Sequence, residues 1–177
     1  MQIADVVKKY LSKLDRLDIE IIISHVLKKT REFVLAHPEY ILNKNQLFRV
    51  EKLLQRRMLA EPIAYITGHK EFYNLEFQVN HPTLIPRPET ELLVEKIIQK
   101  KPTRAFIIDV GTVSGNIIIS LARNIGAKNF FLATDISKGA IQIAKKNANF
   151  HRVSKKIKFF TGDLFAPIWH NPQTRAQ

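Results

Sequence analysis

Residues 106 to 122, FIIDVGTVSGNIIISLA, set a glycine-bearing loop between an apolar run and an apolar helical pattern. Gly111 and Gly115 permit close backbone approach to a ligand, and the helix that follows presents free N–H groups in its first turn. Asp109 ends the apolar run, Asp135 ends the next one and Asp163 follows the third. An acid at the second of these positions can accept hydrogen bonds from ribose hydroxyls. Three acids at successive strand ends, in register with a glycine loop, suit a ligand with a ribose and a positive charge and without phosphates. S-adenosylmethionine has that chemistry. The loop lacks the G-x-x-x-x-G-K-[ST] spacing of a nucleotide-phosphate loop, and the absence of G-x-G-x-x-G weakens a dinucleotide reading. The plainer alternative is that the three acids only terminate strands and cap helices.

The elements that must position these residues follow from periodicity. From residue 103 the pattern is strand, helix, strand, helix, strand. The predicted strands are Ala105–Val110, Phe130–Asp135 and Lys156–Thr161, and the helices Gly115–Arg123 and Lys138–Phe150. The first strand is apolar on both faces, as in a parallel sheet covered on each side, and this predicts half of a doubly wound α/β sheet. Residues 1–60 read as a small helical bundle. Ile19, Ile22, Ile23, Val26 and Leu27 form one stripe, with Asp18 as its N-cap. Thr30 caps a short helix that stops before Pro38. Leu47, Val50, Leu53, Leu54 and Met58 form another stripe, with Arg49, Lys52, Arg56 and Arg57 outside it. Residues 61–88 read as a hairpin and ordered linker. Leu75, Phe77 and Val79 alternate with polar residues, Gly68 and Asn74 mark turns, and Pro82, Pro86 and Pro88 cluster before a helix carrying Leu92, Leu93, Ile97 and Ile98. Residues 89–165 then form the first half of the α/β domain, and 166–177 an irregular tail.

The chain has 177 residues and no cysteine. Disulfides and thiolate metal sites are therefore excluded, and a reducing, cytoplasmic location is expected. The N-terminus does not read as a secretory signal, and no stretch reaches membrane-spanning length. His25, His37, His69, His81, His151 and His170 show no ligand-like clustering, so no metal site is expected. The net charge of +12 favours polyanions. The paired lysines are scattered with little aromatic interleaving, however, so direct nucleic-acid binding is not expected.

The chain resembles the bacterial peptide chain release factor glutamine methyltransferase family, a class I S-adenosylmethionine-dependent group. The stretches that carry the resemblance are AEPIAYITGHKEFYNLEFQVNHPTLIPRPETELLVE at 60–95, REFVLAHPE at 31–39 and FIIDVGTVSGNIIISLA at 106–122. The resemblance implies a helical N-terminal domain, a hairpin linker and a Rossmann-like methyltransferase domain. It implies methylation of the side-chain amide of the glutamine in the Gly-Gly-Gln loop of release factors. By position, Gly111, Thr112, Val113, Ser114 and Gly115 match the loop around the methionine part of the cofactor. Asp135 matches the ribose-binding acid, and Asp163 with Leu164 the pair flanking the adenine. The helical domain would help to recognise the release factor.

Two departures from the family pattern stand out. Val113 replaces a usual glycine, and valine resists positive φ and adds bulk. The family's catalytic Asn-Pro-Pro-Tyr is absent, so no catalytic residue is named; Asn171–Pro172 is a chance match without a preceding apolar strand. A truncated enzyme is therefore expected, with Phe106, Ile107 and Ile108 on an open apolar edge, weak or no cofactor binding by the chain alone, and no methyl transfer. A decayed gene product or a split enzyme completed by a second, C-terminal chain would explain this. A nucleic-acid adenine methyltransferase fragment is an alternative, because such enzymes share an Asn/Asp-Pro-Pro-Tyr/Phe signature, although the helical domain argues against it. A non-enzymatic remnant whose helices survive as a binding module is another.

Overall fold

A computed structural model describes residues 1–81, 83–126 and 128–169. The chain divides into two compact units, Met1–Thr67 and Gly68–Gln177.

The first unit contains helices α1 (Ile3–Tyr10), α2 (Arg16–Leu27), α3 (Arg31–Ala36), α4 (Lys44–Met58) and α5 (Ile63–Thr67). Their apolar stripes meet in one core. Ile3 and Val6, Ile19, Ile22, Ile23 and Val26, and Val50 and Leu54 are all buried there. The start of α4 is held by reciprocal bonds between Asn43 and Gln46, at 2.8 and 3.0 Å, which satisfy two otherwise orphan N–H groups. Thr30 caps α3 as expected, accepting from the Phe33 N–H. Asp18 is not the cap of α2; that position falls to Asp15. Asp18 instead lies inside the helix and accepts from Arg57 Nε at 2.6 Å. Arg56 is likewise drawn to Glu61, at 2.7 Å, so the basic flank of α4 is partly turned inward. The short helix α5 occupies the start of the stretch read as linker, because Ala64 and Ile66 have an apolar face to bury.

A buried acid also belongs to this unit. Glu20 accepts from Arg16 Nε and Arg31 Nε, each at 2.8 Å. Burial alone would raise its pKa; the two guanidiniums outweigh that and hold the carboxyl below its ordinary value.

The second unit opens with an antiparallel hairpin of β1 (His69–Phe72) and β2 (Leu75–Gln78). Its two-residue turn puts Tyr73 and Asn74 at positive φ, 50° and 57°, the pattern of a hairpin turn that matches strand twist. A 3-10 turn at Pro88–Thr90 leads into α6 (Glu91–Gln99). There follow β3 (Phe106–Val110), α7 (Asn116–Asn124), β4 (Phe130–Asp135), α8 (Lys138–Phe150), β5 (Ile157–Thr161) and α9 (Ala166–Trp169). The three later strands form a parallel sheet in the order β3-β4-β5, with Asp109 level with Ala133 and Phe159. The expected α/β architecture, with a helical N-terminus and a Rossmann-like parallel sheet, is observed.

Two expectations are corrected. Residues 166–169 are helical, because Ala166 N–H bonds to the Asp163 carbonyl and Phe165 stacks on Trp169 one turn later. The rest of that tail, with Asn171–Pro172 and His170, lies outside the described residues, as does Pro82. The open edge of β3 carries only part of the apolar run expected there. Alternation turns Ile107 into the core with Phe131, Ala133 and Ile157, against α7 and α8. Phe106 and Ile108 face the other way and remain 53% and 38% exposed, with Phe106 stacked on Phe130 at 4.8 Å. Among the described residues β3 pairs on one side only.

Asn147 ties this unit together. Its side chain is fully buried in α8, accepts from Gln78 N–H at 2.9 Å, and donates to the carbonyls of Gln78 and Ser114 at 3.1 and 2.9 Å. One amide thus clamps the hairpin and the glycine loop onto one helix. Asn147→Ala leaves the N–H and carbonyl of Gln78 and the buried Ser114 carbonyl without this partner, and is expected to lower stability by about 2–4 kcal/mol, measured by chemical denaturation.

Candidate functional site

The loop from Gly111 to Gly115 crosses the carboxyl end of β4. The Thr134 carbonyl accepts from both Gly111 and Thr112 N–H, at 2.8 and 2.9 Å. Gly115 N–H closes the turn onto the Thr112 carbonyl at 2.7 Å. At Gly115 the backbone is left-handed, φ 80°, and a Cβ would meet Ile119 at 2.8 Å and Ala144 at 3.2 Å. Glycine is therefore required where α7 begins against α8. At Gly111, φ is also positive, but the space beside it is open. An approaching ligand would find bare backbone there.

Asp135 is the pivot. It is only 8% exposed, and its carboxylate accepts from Val113 N–H through Oδ2 and from Ser137 N–H through Oδ1, both at 2.9 Å. A carboxylate has about four acceptor positions, so these two bonds leave room for hydroxyl donors. Ser137 in turn caps α8, its Oγ accepting from Ala140 N–H. Thr112 and Ser114 turn inward. Thr112 Oγ1 donates to Asp109 Oδ2 at 2.8 Å, and Ser114 Oγ to Asn116 Oδ1 at 3.3 Å. Both side chains are buried, so these positions can serve a ligand only through their backbone.

Asp109 sits beneath the loop. Removal from water raises its pKa; the bonds from Thr112 and the Ile118 backbone oppose this, and the nearby Asp135 charge adds to the rise. Asp163 is exposed at the end of β5, and Leu164 is 61% exposed with φ 42°. Their strand end is joined to the site through Gly162 N–H, which bonds to the Asp135 carbonyl at 3.0 Å. The structure thus brings loop 111–115, Asp109 and Asp135 into one hydrogen-bonded unit, with Asp163 and Leu164 on the adjoining strand end. Sequence reasoning missed Asn147. Its signal was a polar residue on the buried stripe of Ala140, Ala144 and Ala148. Among the described residues, no group of three or more His, Asp or Glu is placed to hold a metal ion.

Val113 adopts φ 54°. This is the left-handed region that a β-branched side chain resists, and it is held there by the bond to Asp135.

The arrangement has counterparts among known proteins. Residues 4–68 match the family model of the PrmC N-terminal domain, and residues 81–171, about half of the chain, match that of ribosomal protein L11 methyltransferase (PrmA). The release factor glutamine methyltransferase of Coxiella burnetii is 41% identical over 156 residues, covering 86% of this chain and 55% of that protein. The chain belongs among the methyltransferases, and over most of its own length it is similar to release factor glutamine methyltransferases. The release factor glutamine methyltransferase of Buchnera aphidicola subsp. Schizaphis graminum is 42% identical over 168 residues, 91% of this chain and 60% of its own length. A bifunctional methyltransferase of Rickettsia bellii is 36% identical over 181 residues, 32% of its length. The chain spans about half the length of the curated relatives it matches.

Two expectations follow from the geometry. Val113→Gly relieves strain of about 1–3 kcal/mol and costs about 0.5–1 kcal/mol in unfolded-chain freedom, so a net gain of about 1 kcal/mol is expected by thermal or chemical denaturation. For Asp109 the folded pKa lies above the ordinary value of 3.8. The stability linked to it is present below that value and is lost as pH rises toward the folded pKa. Asp109→Asn resembles the protonated acid. It should match the native chain in acid and unfold at a higher temperature at neutral pH, as thermal scans across that range would show.

Proposed function

We propose that this chain supplies the methyl-donor half of S-adenosylmethionine-dependent methylation of the glutamine amide in the Gly-Gly-Gln loop of peptide chain release factors. The observation that carries this reading is the Asp135 carboxylate. It sits at the end of β4 with free acceptor capacity, and it pins the glycine loop whose backbone is open to a ligand at Gly111. The cofactor, when bound, supplies a methyl group on a positively charged sulfur. Asp135 would take its ribose hydroxyls, the backbone of 111–115 its methionine end, and Asp163 with Leu164 its adenine.

The open edge of β3 supports a division of labour. Phe106 and Ile108 offer an apolar strand border to a further segment or a complementing chain. We assign the holding of the acceptor amide to whatever covers that edge. The compact helical unit, which matches the PrmC N-terminal domain, is given recognition of the release factor. The lack of cysteine and the nature of that substrate suit the cytoplasm. No helix among the described residues is long and apolar enough to cross a membrane.

Isothermal titration with S-adenosylmethionine tests the donor site. The native chain should bind more weakly than micromolar, Val113→Gly about tenfold more tightly, and Asp135→Ala not detectably. If Val113→Gly shows no binding, or if Asp135→Ala binds as Val113→Gly does, the donor-site assignment fails.

A further inference from the structure

The opposite border of the sheet carries a feature independent of the cofactor loop. Every charged residue from Ile136 to Gly162 is lysine or arginine. The fold gathers part of this surplus along the outer side of β5 and the second half of α8. There a groove of about 420 Å³ is lined by Lys145 and Asn149, Ser154, Lys158, Phe159 and Phe160. Lys145 and Asn149 stand one helical turn apart on the same face of α8. Lys145 and Lys158 are exposed, and neither forms an ion pair among the described residues. Lys156 does not join them; its Nζ donates to the Ala122 carbonyl at 3.1 Å. Phe160 is partly exposed while Phe159 packs against the core, and β5 pairs with β4 alone, so its other border is unpaired among the described residues.

From this juxtaposition we infer that the α8–β5 groove binds a single-stranded segment of nucleic acid. Unpaired lysine cations answer phosphates, and the partly exposed ring of Phe160 answers the flat face of a base. Asn149 and Ser154 supply hydrogen bonds to sugar or base edges. A polyglutamate chain would use the cations but has no ring to lay on the aromatic side chain. Charge counting along the chain shows the basic surplus but not the groove, whose residues meet only when a helix, a loop and a strand come together.

The test is fluorescence anisotropy of the full chain with a fluorescein-labelled oligouridylate, with polyglutamate of equal charge as competitor. The expected result is binding that weakens steeply with salt and resists polyglutamate. Lys145→Glu with Lys158→Glu should weaken it by about tenfold or more, while the charge-matched control Lys44→Glu with Lys52→Glu changes it by about threefold or less. All four lysines are exposed, and circular dichroism checks that both variants stay folded. Ultraviolet crosslinking should place uridine on the peptide containing Phe159 and Phe160. The inference is overturned by no binding, by equal loss in the two double variants, by displacement with polyglutamate at equal charge, or by crosslinks confined elsewhere.

Discussion

The glycine loop depends on a single carboxylate. Asp135 receives the N–H of Val113 from one side and that of Ser137 from the other. It thereby joins the loop after β3 to the end of β4 and the start of α8. Charge-assisted bonds to backbone donors are among the stronger ones available to a side chain. The positive φ of Val113, the capping of α8 and the exposure of bare backbone at Gly111 are all set around that anchor. Its carbonyl, through Gly162, also fixes where β5 hands over to the next segment. An acid placed to meet a ligand is thus also the fastener of the surface the ligand would touch.

The repeating parts of the fold were legible because period and punctuation agreed. Phe130–Asp135 and Lys138–Phe150 were read with the boundaries the structure shows, since the strand and helical periods follow one another without ambiguity. The buried members of the α2 and α4 stripes were read correctly for the same reason. What stayed hidden depended on tertiary partners. Asp18 looks like a helix cap until Arg57, far along the chain, takes its carboxylate. Asn147 looks like a weak helix residue until the hairpin and the loop both come to it. At the site, the loop, Asp109 and Asp135 were visible as types and spacing. The inward turn of Thr112 and Ser114 was not, because it follows from small polar groups finding local partners under the loop.

The sheet shows the same interplay of local pattern and missing or present neighbours. Ile107 and Ile108 are chemically alike and adjacent, yet one is packed and the other stands 38% exposed. Strand alternation decides this, together with the helices all contributing to the core on one face. The stack of Phe106 on Phe130 covers part of what the helices leave bare.

The left-handed valine has a genetic corollary. Every valine codon becomes a glycine codon by changing its middle base alone. Residue 113 therefore stands one point mutation away from a loop that can fold without steric protest. Chemistry sets no obstacle to that step, and the valine's survival becomes a gauge of how hard natural selection presses on this turn.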